Sequence, residues 1–177
     1  MKIKTKSVAV TCGLLTIVLA SVTTGAFAQA TATATATATI VTPISISKTV
    51  DMNFGNVAVS AATAGTVVLS PAGVRTPTGG VTLPSTAVGT VTAASFTVSG
   101  TGTYTYAITL PSTATTITSG ANTMTVNTFT STPTPTGTLA AGGTQTLNVG
   151  ATLNVAAGQA AGVYVSGTPF SVTVNYN

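Results

Sequence analysis

From Ala30 onward the chain alternates with a period of two. Even positions carry Ala30, Ala32, Ala34, Ala36, Ala38 and Ile40, then Ile44, Ile46, Val50, Met52 and Phe54, while the odd positions between them are mostly Thr and Ser. Side chains of a strand point alternately to its two faces, so this parity predicts an extended segment with one apolar face. Pro43 has no N–H to give to a ladder, which fits an edge or a break between two strands.

Shorter runs of the same kind follow, separated by turn residues. Thr66–Ser70 is followed by Pro71-Ala72-Gly73, and Val81–Leu83 follows Gly79-Gly80. Phe96 and Val98 alternate before Gly100-Thr101-Gly102, Tyr104, Tyr106, Ile108 and Leu110 alternate after it, and the two runs predict a hairpin. Met124 and Val126 share a parity that Phe129 breaks, as at a bulge or a strand end. Thr132-Pro133-Thr134-Pro135 reads as a loop. Leu147, Val149, Ala151, Leu153 and Val155 share one face, with Gly150 as a bend, and Phe170, Val172, Val174 and Tyr176 alternate up to Asn177. With no helical period of useful length, the expectation is an all-β fold: a single antiparallel sandwich of about eight to ten short strands with an extended N-terminal strand.

The first 28 residues follow a different grammar. Lys2, Lys4 and Lys6 precede an apolar run from Val8 to Ala20, and Ala26-Phe27-Ala28 supplies a small-x-small cleavage pattern. This is the layout of a secretory signal peptide, with the cut placed between Ala28 and Gln29; Ala28-Gln29-Ala30 offers a second site after Ala30. The apolar run is too short for a membrane span, and nothing later is a better one. The expected organisation is therefore a leader over 1–28, an Ala-Thr extension over 29–40 and a β-sandwich over 41–177. The route is export by the general secretory pathway through a periplasm to the cell surface or the medium.

Three of the five cations belong to that leader, so the formal net charge of +4 is no argument for a nucleic-acid partner. The single cysteine, Cys12, lies early in the apolar run, away from the position a lipidated cysteine occupies. Beyond residue 28 the only charged side chains are Lys48, Asp51 and Arg75, with no His, no Glu and no Cys. General acid-base catalysis, a disulfide framework and a clustered metal site all need residues that this stretch does not have. Asp51 reads as a solvated or turn-capping side chain near Lys48 rather than the partner of a Ser or Thr nucleophile. A calcium site would need several more oxygen ligands than one Asp. The expectation is a protein with no enzymatic activity and no cofactor.

The segments Ile44-Ser45-Ile46, Met52-Asn53-Phe54-Gly55-Asn56-Val57 and Leu147-Asn148-Val149-Gly150-Ala151-Thr152-Leu153, with Gln159, Gly162, Tyr164 and the ending Phe170–Tyr176, resemble the DUF4402 family of exported bacterial β-proteins. That family is similar to pilin-like, immunoglobulin-like domains, in particular the cysteine-free major subunits of common pili. The Tyr176 ending also resembles chaperone-usher pilins, although the disulfide usual in that class is missing. The resemblance implies a structural subunit of a surface fibre whose partners are identical subunits, a periplasmic chaperone and an outer-membrane assembly protein.

Fibres of that kind form when an extended segment of one subunit completes the sheet of the next. The residues expected at such an interface are Ala32, Ala34, Ala36, Ala38, Ile40, Ile44 and Ile46 from the extension, and Phe170, Val172, Val174 and Tyr176 from the last strand. Burial of an Ile contributes roughly 1.5–3 kcal/mol and an Ala methyl well under half of that, so the isoleucines are the stronger anchors. Ile44 and Ile46 are equally suited to the domain's own first strand, and the Ala-Thr repeat to a spacer. The competing reading is a monomeric adhesin or carbohydrate-binding module in which Tyr104, Tyr106 and Tyr164 stack on a sugar. Tyr104 and Tyr106 share parity with Ile108, which suits a sheet face better.

Overall fold

The structure is a computed structural model that describes residues 29–177. The signal-peptide reading of residues 1–28, with the cut at Ala28 and the placement of Cys12, lies outside the described residues. Two compact units divide the chain at Ala38/Thr39. Residues 29–38 of the first carry no ladder and are exposed throughout. The second, Thr39–Asn177, holds every strand of the described residues and is all-β, with no helix among them.

Its strands are β1 (Ser45–Val50), β2 (Asn53–Phe54), β3 (Ala58–Val59), β4 (Gly65–Leu69), β5 (Arg75–Gly79), β6 (Val81–Thr82), β7 (Val91–Thr92) and β8 (Ala94–Ser99). They continue as β9 (Thr105–Thr109), β10 (Thr115–Ser119), β11 (Asn122–Thr132), β12 (Thr136–Thr138), β13 (Thr144–Val155), β14 (Val165–Ser166) and β15 (Thr173–Tyr176). The excess over the expected eight to ten comes from ladders of two or three residues, which leave almost no periodic signal.

β13 is the spine. Its first half pairs with β8 from Thr144 to Val149, its second half pairs with β4 from Ala151 to Val155, and its other edge pairs with β11. The sheet continues outward through β1 beside β8, β5 beside β4, and β10 then β14 beside β11, all antiparallel. A second sheet, β12-β9-β15, faces the first, and two short ladders, β2-β7 and β3-β6, stand apart from both. The result is a sandwich-like all-β domain.

Two clusters make the core. Val98, Tyr106, Leu139, Leu147, Val149 and Val174 are buried between the two sheets, and Val67, Val81, Val126, Ala151, Leu153 and Val155 are buried under the second half of β13. The odd face of β13 runs unbroken through both. The parity break at Phe129 is a bulge: the β11-β13 register shifts between Asn127 and Thr130, and Thr128 has a φ of 50°. Before it the even residues Met124 and Val126 face inward; after it Phe129 and buried Ser131 do.

The predicted hairpin over residues 96–110 is corrected. β8 pairs with β1 and β13 in the large sheet, whereas β9 pairs with β12 and β15 in the small one. Gly100–Tyr104 therefore arches across the core between sheets. Each run has the parity of a strand, but parity does not encode the partner. The arch is tight: a Cβ on Gly100 would run into the Tyr176 hydroxyl.

Candidate functional site

The inward residues expected at an interface divide in two. Ile44, Ile46, Phe170, Val172 and Tyr176 pack against the first core cluster, to which Val174 belongs, so these side chains serve the domain's own core. Ala32, Ala34, Ala36 and Ala38 are exposed, and Ile40 is 93% exposed. Among the described residues no ladder forms before Ser45.

Thr42, where the chain enters the domain, is held by the last aromatic residue. The Tyr176 hydroxyl donates to the Thr42 carbonyl at 2.8 Å and accepts from the Thr101 N–H at 2.7 Å. The Thr42 N–H donates to Thr101 Oγ1 at 2.9 Å, and the Tyr176 ring meets Tyr104 edge-on at 5.6 Å. This clamp uses both capacities of a phenol. Tyr176→Phe should cost about 1–2 kcal/mol, from two bonds worth about 0.5–1.5 kcal/mol each. Amide exchange at Thr101 should rise with it, and an unchanged rate there would count against the clamp.

No strand of the small sheet packs on the second core cluster; Met52, Phe54, Val57 and Val59, with Val81 and Leu83, pack there instead. Between Met52–Val59 and Val163–Phe170 lies a groove of about 1030 Å³. Ile117, Met124, Val126, Leu153, Val155 and Phe96, contributed by four strands of the large sheet, line it. Val50, Val163 and Val165 also line it and are 40%, 82% and 62% exposed. A smaller cavity of about 670 Å³, lined by the Leu110–Thr116 loop and Gly167–Ser171, shares Thr115, Pro169 and Phe170 with it.

Charge is nearly absent around the groove. Lys48 and Asp51 line it and pair with each other at 2.7 Å on the surface. Arg75 anchors one wall from behind, its Nη1 donating to the Phe54 and Asn56 carbonyls at 2.7 and 2.9 Å. The wall is kept in its turn by Asn53 Oδ1, which accepts from the Gly55 N–H at 2.8 Å; Gly55 has a φ of 67° and lies against the Val88 carbonyl. Arg75→Ala removes two charge-assisted bonds of roughly 1.5–3 kcal/mol each when buried. Partial exposure reduces the expected loss to about 1–2 kcal/mol, readable as a lower unfolding midpoint in urea with faster exchange at Asn56.

The three tyrosines of the sugar-binding reading have separate jobs. Tyr106 is fully buried, and its hydroxyl donates to Gln145 Oε1 at 2.7 Å. Tyr104 packs on Tyr176, and the Tyr164 hydroxyl donates to the Ala160 carbonyl and accepts from Gln159 Nε2. Among the described residues no three His, Cys, Asp or Glu side chains lie together, and no helix is long and apolar enough to cross a membrane.

Val163 and Val165 were not singled out in the sequence. They share parity, but a two-residue strand, β14, is too short for alternation to register.

A family described as "Domain of unknown function (DUF4402)" matches residues 44–176. No curated protein and no solved structure matches the chain.

Proposed function

The chain belongs to the DUF4402 family, and we propose that it is a structural subunit of a fibre at a bacterial surface, joined to its neighbours by strand donation from residues 29–40. One observation carries the reading: the most regular alternation in the sequence occupies a segment that is exposed at every residue and has no strand partner among the described residues. An alternating segment without a sheet leaves its main-chain groups open to pairing with another chain. The family match begins at residue 44, after the segment. Export by a signal peptide over residues 1–28, and handling by a periplasmic chaperone and an outer-membrane assembly protein, belong to the same proposal.

Head-to-tail donation does not close on itself, so it builds filaments rather than dimers. Low charge supports this reading, because soluble proteins commonly use charged residues to keep sheet edges apart. The sugar-binding alternative loses its aromatic platform with the burial of Tyr106.

Deletion of residues 29–40 should yield a folded, exported protein that elutes as a monomer and forms no filaments in electron micrographs. Ile40→Asp should weaken assembly in the same direction, since Ile40 is the one large apolar side chain of the segment and contributes roughly 1.5–3 kcal/mol when buried. Filaments of normal length and abundance from the deletion variant would refute donation by this segment.

A further inference from the structure

We propose that the groove between Met52–Val59 and Val163–Phe170 is the acceptor site for residues 29–40 of a second copy of this chain. The assignment, which rests on the strand-donating reading above, adds the surface that receives the strand.

Four features fit this occupant. The groove supplies main-chain edges: among the described residues β14 pairs only with β10, β2 only with β7 and β3 only with β6, so both walls carry strands with a single partner there. Its floor is apolar, and Val163 and Val165 stand exposed beside it, where an isolated domain would place polar residues. Its two charged lining residues are paired to each other, which leaves a neutral surface, and residues 29–47 carry no charge. Length suffices as well. A donor pairing with β14, β2 or β3 runs along them, and twelve extended residues, roughly 40 Å, far exceed these two-residue edges. An alternating Ala face lets the donor backbone lie close to the floor, and Ile40 supplies one large side chain at its C-terminal end.

Two full-chain variants separate the two halves of the contact. Val163→Asp/Val165→Asp keeps the extension and spoils the groove; deletion of 29–40 keeps the groove and removes the strand. Each alone should elute as a monomer, with polymer yield down roughly tenfold or more, the effect of about 1.4 kcal/mol per contact. Mixed in equal amounts they should form a 1:1 dimer that grows no further, because only one donor and one acceptor remain. Val163→Asp alone, at a nearly free side chain, guards against loss of folding and should weaken assembly in the same direction. Val74→Asp, at an exposed valine in the β4-β5 turn, should assemble as wild type.

Normal polymers from both groove variants, alongside monomers from the deletion, would overturn the groove assignment and leave strand donation standing. So would failure of the mixture to dimerise, or an equal block by Val74→Asp. A wild-type chain that stays monomeric, with or without its own extension in the groove, would end both readings.

Discussion

Gly150→Ala is expected to destabilise the domain by more than about 4 kcal/mol, and Gly150→Val to leave it unfolded, against a typical total of about 5–15 kcal/mol. A Cβ at this position would run into the Leu69 carbonyl oxygen and lie 2.7 Å from the Ser70 carbonyl carbon and 2.8 Å from Pro71 N. All three are backbone atoms, so no rotamer change relieves the contact. Gly150 is also where β13 passes from β8 to β4 while holding β11 on its other edge, with Gly150 opposite Thr130. Moving β4 away to admit a methyl group would open the pairs Ala151–Leu69 through Val155–Gly65 and expose Val67 and Leu69, both fully buried. Urea unfolding followed by circular dichroism reads the loss. Gly142→Ala is the control: nothing lies within 4 Å of its Cβ, and the change should stay within about 0.5 kcal/mol. A Gly150→Ala variant within 1 kcal/mol of wild type would mean that the Ser70–Pro71 backbone yields easily.

Gly150 also marks how far a one-dimensional pattern reaches. The odd face of β13, the bulge at Phe129, the turn after Ser70 and the alternation up to Tyr176 are local consequences of a period of two, and each is visible in the sequence. What β13 pairs with is not local. Its hand-over from β8 to β4 depends on two strands distant in sequence, and the arch at Gly100–Tyr104 resembles a hairpin until the partners of β8 and β9 are known. The candidate site divides along the same line. The unpartnered extension is legible because its repeat is long, whereas the groove is made where short, irregular segments meet, with two valines beside a two-residue strand. A gap between elements has no residue of its own to read. Parity leaves open whether Ile44 and Ile46 serve as anchors or as the domain's first strand; Ile46 lies in β1, Ile44 directly precedes it, and both pack on the domain's own core.

Tyr106 carries the second large effect. It is the largest fully buried side chain, lies between the sheets under Gly137, and donates its hydroxyl proton to Gln145 Oε1 at 2.7 Å. Tyr106→Ala removes an aromatic ring from a packed core and should cost about 3–5 kcal/mol. Tyr106→Phe keeps the ring but leaves the Gln145 oxygen without its donor, for about 1–3 kcal/mol. The two variants separate packing from hydrogen bonding at one site. Burial also raises the pKa of this phenol above its ordinary value of 10.0, because the phenolate would lose hydration. Between pH 10 and the raised folded value the unfolded chain has released this proton while the folded chain keeps it. Folding stability must then fall as pH rises, and below pH 10 the contribution is fully present. Urea midpoints at pH 7, 10 and 11 should therefore decline more steeply for wild type than for Tyr106→Phe, whose residue 106 has no proton to lose. Parallel declines in the two proteins would assign the alkaline loss to other groups and refute the coupling between Tyr106 ionisation and the packing of the two sheets.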